Sequence, residues 1–435
     1  MSTGSPSRAT RGRWLPSAVG VVLLGLVGAV VAHRAADDAA RAFPPPSATP
    51  GKGSPGTATA VPDDATVTRS FATMAQAIDE QDGDAFTAAA GSTPWARVTW
   101  RNLEALGIGA VRLRFVASRP GPTPDVALAT VEVDWTPGDH ASAYDGTTTV
   151  PREVTFRVAV TDDGRVAVLG AGSGGDRWVP VWLLGTLDVT SLPGGAAIAV
   201  GNADSTVGVD VDLLTRRAVA AVDTVLADLP DGRRRQVVVV APATAREAAQ
   251  LLGHSRSDLS TVAAVTTTVD GSRHVDAPVQ VVLNPVVFDR LGPRGAQVVV
   301  SHEATHAATG AAAVRMPLWV AEGFADWVAL HDGSVPLDVS AGAFLTSVRQ
   351  HGPPRSLPSE SDFGAQAHGL GTTYEAAWTI FRLLGERFGD EPVIAFYETV
   401  LTGAPVQAAL EDATGLDVAG LAMAWRHDVR RLARA

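Results

Sequence analysis

The chain has 435 residues, 46% of them hydrophobic and 19% charged, the balance of a folded protein with room for two or three domains and not of a disordered one. Its net charge of −11 argues against a general nucleic-acid binder, because tracking phosphates needs clustered Lys and Arg. It has no cysteine, so disulfide scaffolds, thiolate metal sites and cysteine nucleophiles are excluded, and any metal ion must be held by other side chains such as His, Asp or Glu.

Residues 1–13 are polar and carry Arg8, Arg11 and Arg13. Residues 14–32 follow without a charge, close to the roughly 20 residues that cross a bilayer as a helix. Trp14 suits the interface, and the arginines before it favour a cytoplasmic N-terminus with the remainder outside. The expectation is a short tail, a single-pass anchor in the cell membrane and an extracytoplasmic remainder. A cleaved signal peptide is the competing reading, although no small-x-small site lies close to the apolar end. Residues 33–64, with Pro44, Pro45 and Pro46 followed by Ser, Thr, Gly and more Pro, read as an extended linker.

Residues 65–190 read as a separate α+β domain. One helix is expected over 65–90, with Phe71, Met74, Ala75 and Ile78 on one face, and a second over about 94–106. Four strands are expected at 111–117, 126–135, 149–160 and 166–171. Alternation is clear in Arg112-Leu113-Arg114-Phe115-Val116, and turn signals stand at Pro120-Gly121-Pro122, Pro137-Gly138-Asp139 and Asp162-Asp163-Gly164. Helices followed by an antiparallel sheet resemble the cone-shaped domains of the nuclear transport factor 2-like type. No convergent polar set accompanies the pattern, so the domain reads as a structural or spacer unit.

Residues 195–435 read as the catalytic domain. Strands are expected at 196–200, 236–241, 263–269 and 279–283, and helices at 210–229 and 244–252. Gln236-Val237-Val238-Val239-Val240-Ala241 has the composition of a strand buried on both faces. A helix over 294–309, stopped by Gly310, carries His302-Glu303-Ala304-Thr305-His306. The remainder, including 383–434, reads as helical.

His302 and His306 are four apart, about 400° of helical rotation, so both imidazoles lie on one face and can reach one metal ion. Glu303 projects to the side, where a base would act on water. A second helix beginning near Pro317 would carry Glu322 towards the first, with Asp326 one turn later on the same face. His331, His368 and His427 read as structural or surface residues.

The pairing of H-E-x-x-H with Trp319-Val320-Ala321-Glu322-Gly323-Phe324-Ala325 resembles gluzincin-type zinc peptidases of the peptidase-MA-like families, and more distantly aminopeptidase N-type enzymes and thermolysin. The resemblance implies a zincin-like α+β fold: a mixed sheet, the H-E-x-x-H helix, then a helical C-terminal part. It implies that His302, His306 and Glu322 bind Zn²⁺, that Glu303 is the general base, and that Asp326 supports a ligating imidazole. The connection from His306 to Glu322 is shorter than in the better-known relatives. Tyr374, read as opening a helix, resembles the tyrosine that stabilises the oxyanion in aminopeptidase N-type enzymes; a packing role is the alternative, and His368 is the reserve donor. The residues around Ala263-Ala264-Val265-Thr266-Thr267-Thr268 lack the glutamate with which those enzymes bind a substrate amine. Aminopeptidase specificity is thus unsupported, while an edge strand there could pair with an extended peptide.

The function expected is a membrane-anchored zinc peptidase acting on peptides or proteins outside the cell, an endopeptidase by preference. The alternative is a tethered zinc-binding scaffold that turns over nothing.

Overall fold

The computed structural model describes residues 62–138, 142–147, 149–172, 178–201, 210–227, 235–256, 259–364 and 369–434. The expected tail, membrane span and nearly all of the linker lie outside them, as does His368. Among the described residues no helix is long and apolar enough to cross a membrane.

The protein is α+β. The described residues open with helices α1 (Asp64–Asp79), α2 (Gly83–Ala89) and α3 (Pro94–Leu106). The single helix expected over 65–90 is broken in two. Gln81 stands at φ 56°, and the Asp82 side chain accepts from Ala85 N, starting a new helix at Gly83. Strands β1 (Ile108–Pro120), β2 (Ala127–Pro137), β3 (Arg152–Val160) and β4 (Val166–Ala171) then form an antiparallel sheet in that order. Phe156 on β3 receives Phe71 of α1 and Trp95 of α3 edge-on, at ring separations of 5.0 and 6.0 Å.

A second sheet has the order β5-β6-β7-β9-β8. β5 (Leu187–Leu192) and β6 (Gly195–Val200) form a hairpin through Pro193-Gly194, with Gly194 at φ 75°. β7 (Val237–Ala241) and β9 (Val279–Leu283) run parallel to β6, and β8 (Ala264–Thr268) pairs antiparallel with β9 at the sheet's edge. β5 was not anticipated; it lies where the sequence suggested a boundary at 190, and it belongs to the second sheet.

All five residues of β7 are buried, as its composition implied. Val237, Val239 and Ala241 join the core shared with the C-terminal helices, while Val238 and Val240 join the core of the N-terminal unit. The N-terminal unit therefore covers one face of the second sheet. Polar contacts tie the joint. Asn102 Nδ2 donates to Trp182 O (3.2 Å) and Gly185 O (3.0 Å), and its Oδ1 accepts from Leu187 N (3.1 Å). Tyr144 donates to Gln280 Oε1 of β9 at 3.0 Å, and the buried Asp270 accepts from Val150 N at 2.6 Å.

The other face is covered by α4 (Val211–Leu226) and α7 (Pro293–Thr309), and α8 (Leu318–Ala329), α10 (Gly342–His351) and α11 (Leu370–Phe388) extend the same core beyond them. Shorter α5 (Ala245–Leu252), α6 (Pro285–Phe288) and α9 (Leu337–Ser340) connect elements, and α12 (Asp390–Leu401), α13 (Val406–Thr414) and α14 (Val418–Leu432) close the chain. The helix expected to run on from 383 is interrupted by Gly389 at φ 84°.

Candidate metal centre

α7 starts with Pro293 in its first turn and ends on Gly310 at φ 70°, the stop its sequence implied. Its middle is buried all round, because the second sheet lies along one side while α4 and α8 close the other. A helix so enclosed must pair any polar group it carries. It carries His302, Glu303 and His306, each 0% exposed.

α8 supplies the partners. Pro317 precedes it, and the Leu318 N–H at its start donates to Glu360 Oε1 at 2.9 Å. Glu322 and Asp326 lie one turn apart and both face α7. His302 Nε2 stands 3.1 Å from Glu322 Oε2 and 3.1 Å from His306 Nε2, and His306 Nε2 stands 3.6 Å from Glu322 Oε2. His302 Nδ1 donates to Asp326 Oδ1 at 2.7 Å. An ionised carboxylate only accepts, so this bond puts the proton of a neutral His302 on Nδ1 and leaves the Nε2 lone pair facing Glu322.

Three donor atoms thus converge in a buried space. They repel one another unless positive charge lies among them. Ligands bonded at about 2.0–2.1 Å to a tetrahedral ion stand roughly 3.3 Å from one another. The observed 3.1, 3.1 and 3.6 Å bracket that value. His302, His306 and Glu322 can hold a metal ion.

The protons answer the same crowding. Burial opposes charge on His302, but the Asp326 and Glu322 carboxylates outweigh it and push its pKa well above the ordinary value. Burial also opposes charge on Glu322, and the two imidazoles outweigh it, bringing its pKa down to about 2. Glu303 goes the other way: burial raises it despite the opposing pull of both imidazoles and of Thr266.

Glu303 is the one site carboxylate that reaches out of the helix pair to the sheet. The Thr266 hydroxyl of β8 donates to its Oε2, while Glu303 Oε1 is buried with no hydrogen-bond partner among the described residues. Tyr374 lies in the second turn of α11, which begins at Leu370 and not at Tyr374 as expected, because Gly369 at φ 79° starts the helix earlier. Its ring packs edge-on against Phe363 at 5.3 Å. Burial, then the nearby carboxylates of Glu322, Asp326 and Glu303, push its pKa well above the ordinary value, so it stays a phenol.

Gly323, next to Glu322, explains how α11 comes so close. A Cβ there would lie 2.7 Å from Ala377 O and 2.7 Å from Phe381 Cδ2. Only glycine allows α8 and α11 that approach. Behind the ligands, Phe324 stacks on Tyr397 at 3.7 Å, and Tyr397 Oη lies 3.1 Å from Thr309 Oγ1 of α7. Of the remaining histidines, His331 pairs with Asp390 at 3.2 Å, and His427 is exposed.

Thr266, Tyr397 and Glu375 were not picked out from the sequence. Glu375 accepts from Phe344 N of α10 at 2.6 Å, tying α11 to that helix's first turn. Alternation in β8 put Thr266 on the same face as Ala264 and Thr268, but it held no signal for which helix that face would meet. The chain matches no family model, no curated protein and no solved structure.

Proposed function

We propose that the protein is a zinc-dependent peptidase of gluzincin type, built on a zincin-like domain. The observation that carries this reading is the buried triangle of His302, His306 and Glu322 with the Glu303 carboxylate beside it. A zinc site of two imidazoles and one carboxylate with an open fourth position is the donor set of catalytic rather than structural zinc. When bound, the ion supplies Lewis-acid polarisation of a carbonyl and acidifies water.

The chain's own residues supply the rest. Asp326 holds the His302 ring in the tautomer that ligates. Glu303, its pKa raised by burial, takes a proton from the attacking water and passes it to the leaving amine. Tyr374, kept protonated, donates to the charge that develops on the carbonyl oxygen. β8, at the sheet's edge beside Glu303, offers backbone groups to an extended peptide. An internal peptide segment suits that edge, since no acidic residue of β8 awaits a substrate amine. In the same reading, residues 14–32 anchor the protein in the membrane, and its substrates are peptides or proteins met outside the cell.

The test is zinc content and hydrolysis of a mixed peptide library by the purified full-length protein, with and without chelator. The expected result is one zinc per chain and chelator-sensitive cleavage. Glu303→Gln should bind zinc equally and lose about 10²- to 10⁴-fold in kcat. Stoichiometric zinc with no cleavage would favour the scaffold reading, and a protein indifferent to zinc would end both. A reporter active only outside the cytoplasm, fused after residue 60, should give signal in the membrane fraction; signal in the medium would instead indicate a cleaved signal peptide.

A further inference from the structure

We infer that Thr266 is a positioning residue for Glu303, fixing which carboxylate oxygen faces the reaction. The inference rests on the peptidase reading above and adds to it a residue outside the H-E-x-x-H helix and its partner helix.

Thr266 lies in the middle of β8 and is 1% exposed. Its strand neighbours on the same face are Ala264 and Thr268, and its cross-strand partner is Val281. Ala264 and Val281 belong to the apolar core beneath α7. The position is one that Val would fill at nearly equal volume, so a hydroxyl there needs a polar reason.

That reason is Glu303. Thr266 Oγ1 stands 3.0 Å from Glu303 O and closer still to Glu303 Oε2. The hydroxyl has one proton to give. Glu303 O lies within α7, where helix geometry already provides it an N–H four residues on. The ionised carboxylate is the stronger acceptor, so the proton goes to Oε2. Oε1 is left buried and without a hydrogen-bond partner among the described residues.

The two oxygens are therefore inequivalent. Oε2 is occupied by the sheet, and Oε1 is the oxygen left to handle the substrate's protons. The last torsion of a glutamate is broad and nearly two-fold, so packing alone specifies it poorly. Thr266, stiff at χ1 because it is β-branched, supplies the missing restraint. Because β8 is also the edge strand, base and edge are held in one register.

The experiment compares Thr266→Val, Thr266→Ser and Thr266→Ala in the full-length zinc-loaded protein. Val keeps the shape without the hydroxyl, and Ser keeps the hydroxyl without the methyl. Thr266→Val should retain zinc and KM while kcat falls about ten- to a hundredfold, and Thr266→Ser should stay within about threefold of wild type. A second readout needs no activity: in zinc-free protein, Thr266→Val should lower Tm more when Glu303 is present than in a Glu303→Ala background. Should the Val variant not fold, the Ser and Ala pair makes the same comparison. Wild-type kcat in Thr266→Val, or equal losses in Val and Ser, would overturn the inference and make Thr266 a packing residue. Failure of the peptidase reading would look different: wild type would show no chelator-sensitive cleavage, yet the Tm cycle would still report the Thr266–Glu303 contact.

Discussion

The two faces of the second sheet are buried equally well by different means. Towards the N-terminal unit, Ile198, Val238, Val240 and Val282 meet an apolar core, and polar contacts such as those of Asn102 lie at its margins. Towards α7, the same strands back onto a helix that carries two imidazoles and a carboxylate, with two further carboxylates on α8. Apolar burial is favourable by itself, at about 25 cal/mol per Å². Buried charge is unfavourable unless partnered. The first face therefore stabilises the molecule, while the second spends part of that stability on a buried polar cluster whose three donor atoms could hold a metal ion.

Substitutions on either face should separate these roles. The largest effect on zinc binding is expected from Asp326→Asn, which keeps the shape but weakens the grip on His302 Nδ1. Zinc affinity should fall about 10- to 100-fold, read by competition with a chelating dye. An unchanged affinity would mean that the Asp326–His302 bond does not tune the ligand set. Gly323→Ala should come next. Its methyl would push α8 from α11 and displace Tyr374, lowering kcat about tenfold with zinc retained. If kcat holds, Tyr374 is a packing residue.

On the opposite face, Val240→Ala should lower stability by about 2 kcal/mol in urea unfolding and leave zinc affinity and kcat near wild type. A matching loss of activity would show that the faces are coupled. The smallest effect concerns Glu375, whose pKa burial raises from 4.5 to about 7. A carboxyl raised on folding stabilises fully below its unfolded value and loses that contribution as pH rises through the folded one. Glu375→Gln keeps an acceptor for Phe344 N, so its advantage in Tm over wild type should grow between about pH 4.5 and 7. A constant difference would assign the effect to packing instead.

Much of this arrangement was legible in the sequence because it is local. The His302 and His306 spacing, the Gly310 stop of α7, and Pro317 before α8 each depend on a few neighbouring residues. The five buried residues of β7 likewise announced two covered faces. What covered them did not follow. The cover on one side is the N-terminal unit, which read as a structural or spacer unit for want of a convergent polar set, and nothing local in Val238 or Val240 names it as a partner. The split of the first helix was written in Asp82-Gly83 but overridden by the apolar period around it. β5 was missed because it spans the boundary drawn at 190, so its pairing with β6 crossed the expected domain limit. Thr266 was invisible as a site residue, since its role depends on a register between strand and helix.

The joint at Asn102 also bears on how the molecule can be made. The N-terminal unit leaves the ribosome first, with an apolar surface that fits strands not yet synthesised. β6, β7 and β9 must arrive to cover it, and α7, α8 and α11 follow later still. A shortened version starting at β6 would present Ile198, Val238 and Val240 to water and should aggregate. The half that carries His302, His306 and Glu322 thus depends on the segment translated before it to keep its sheet covered.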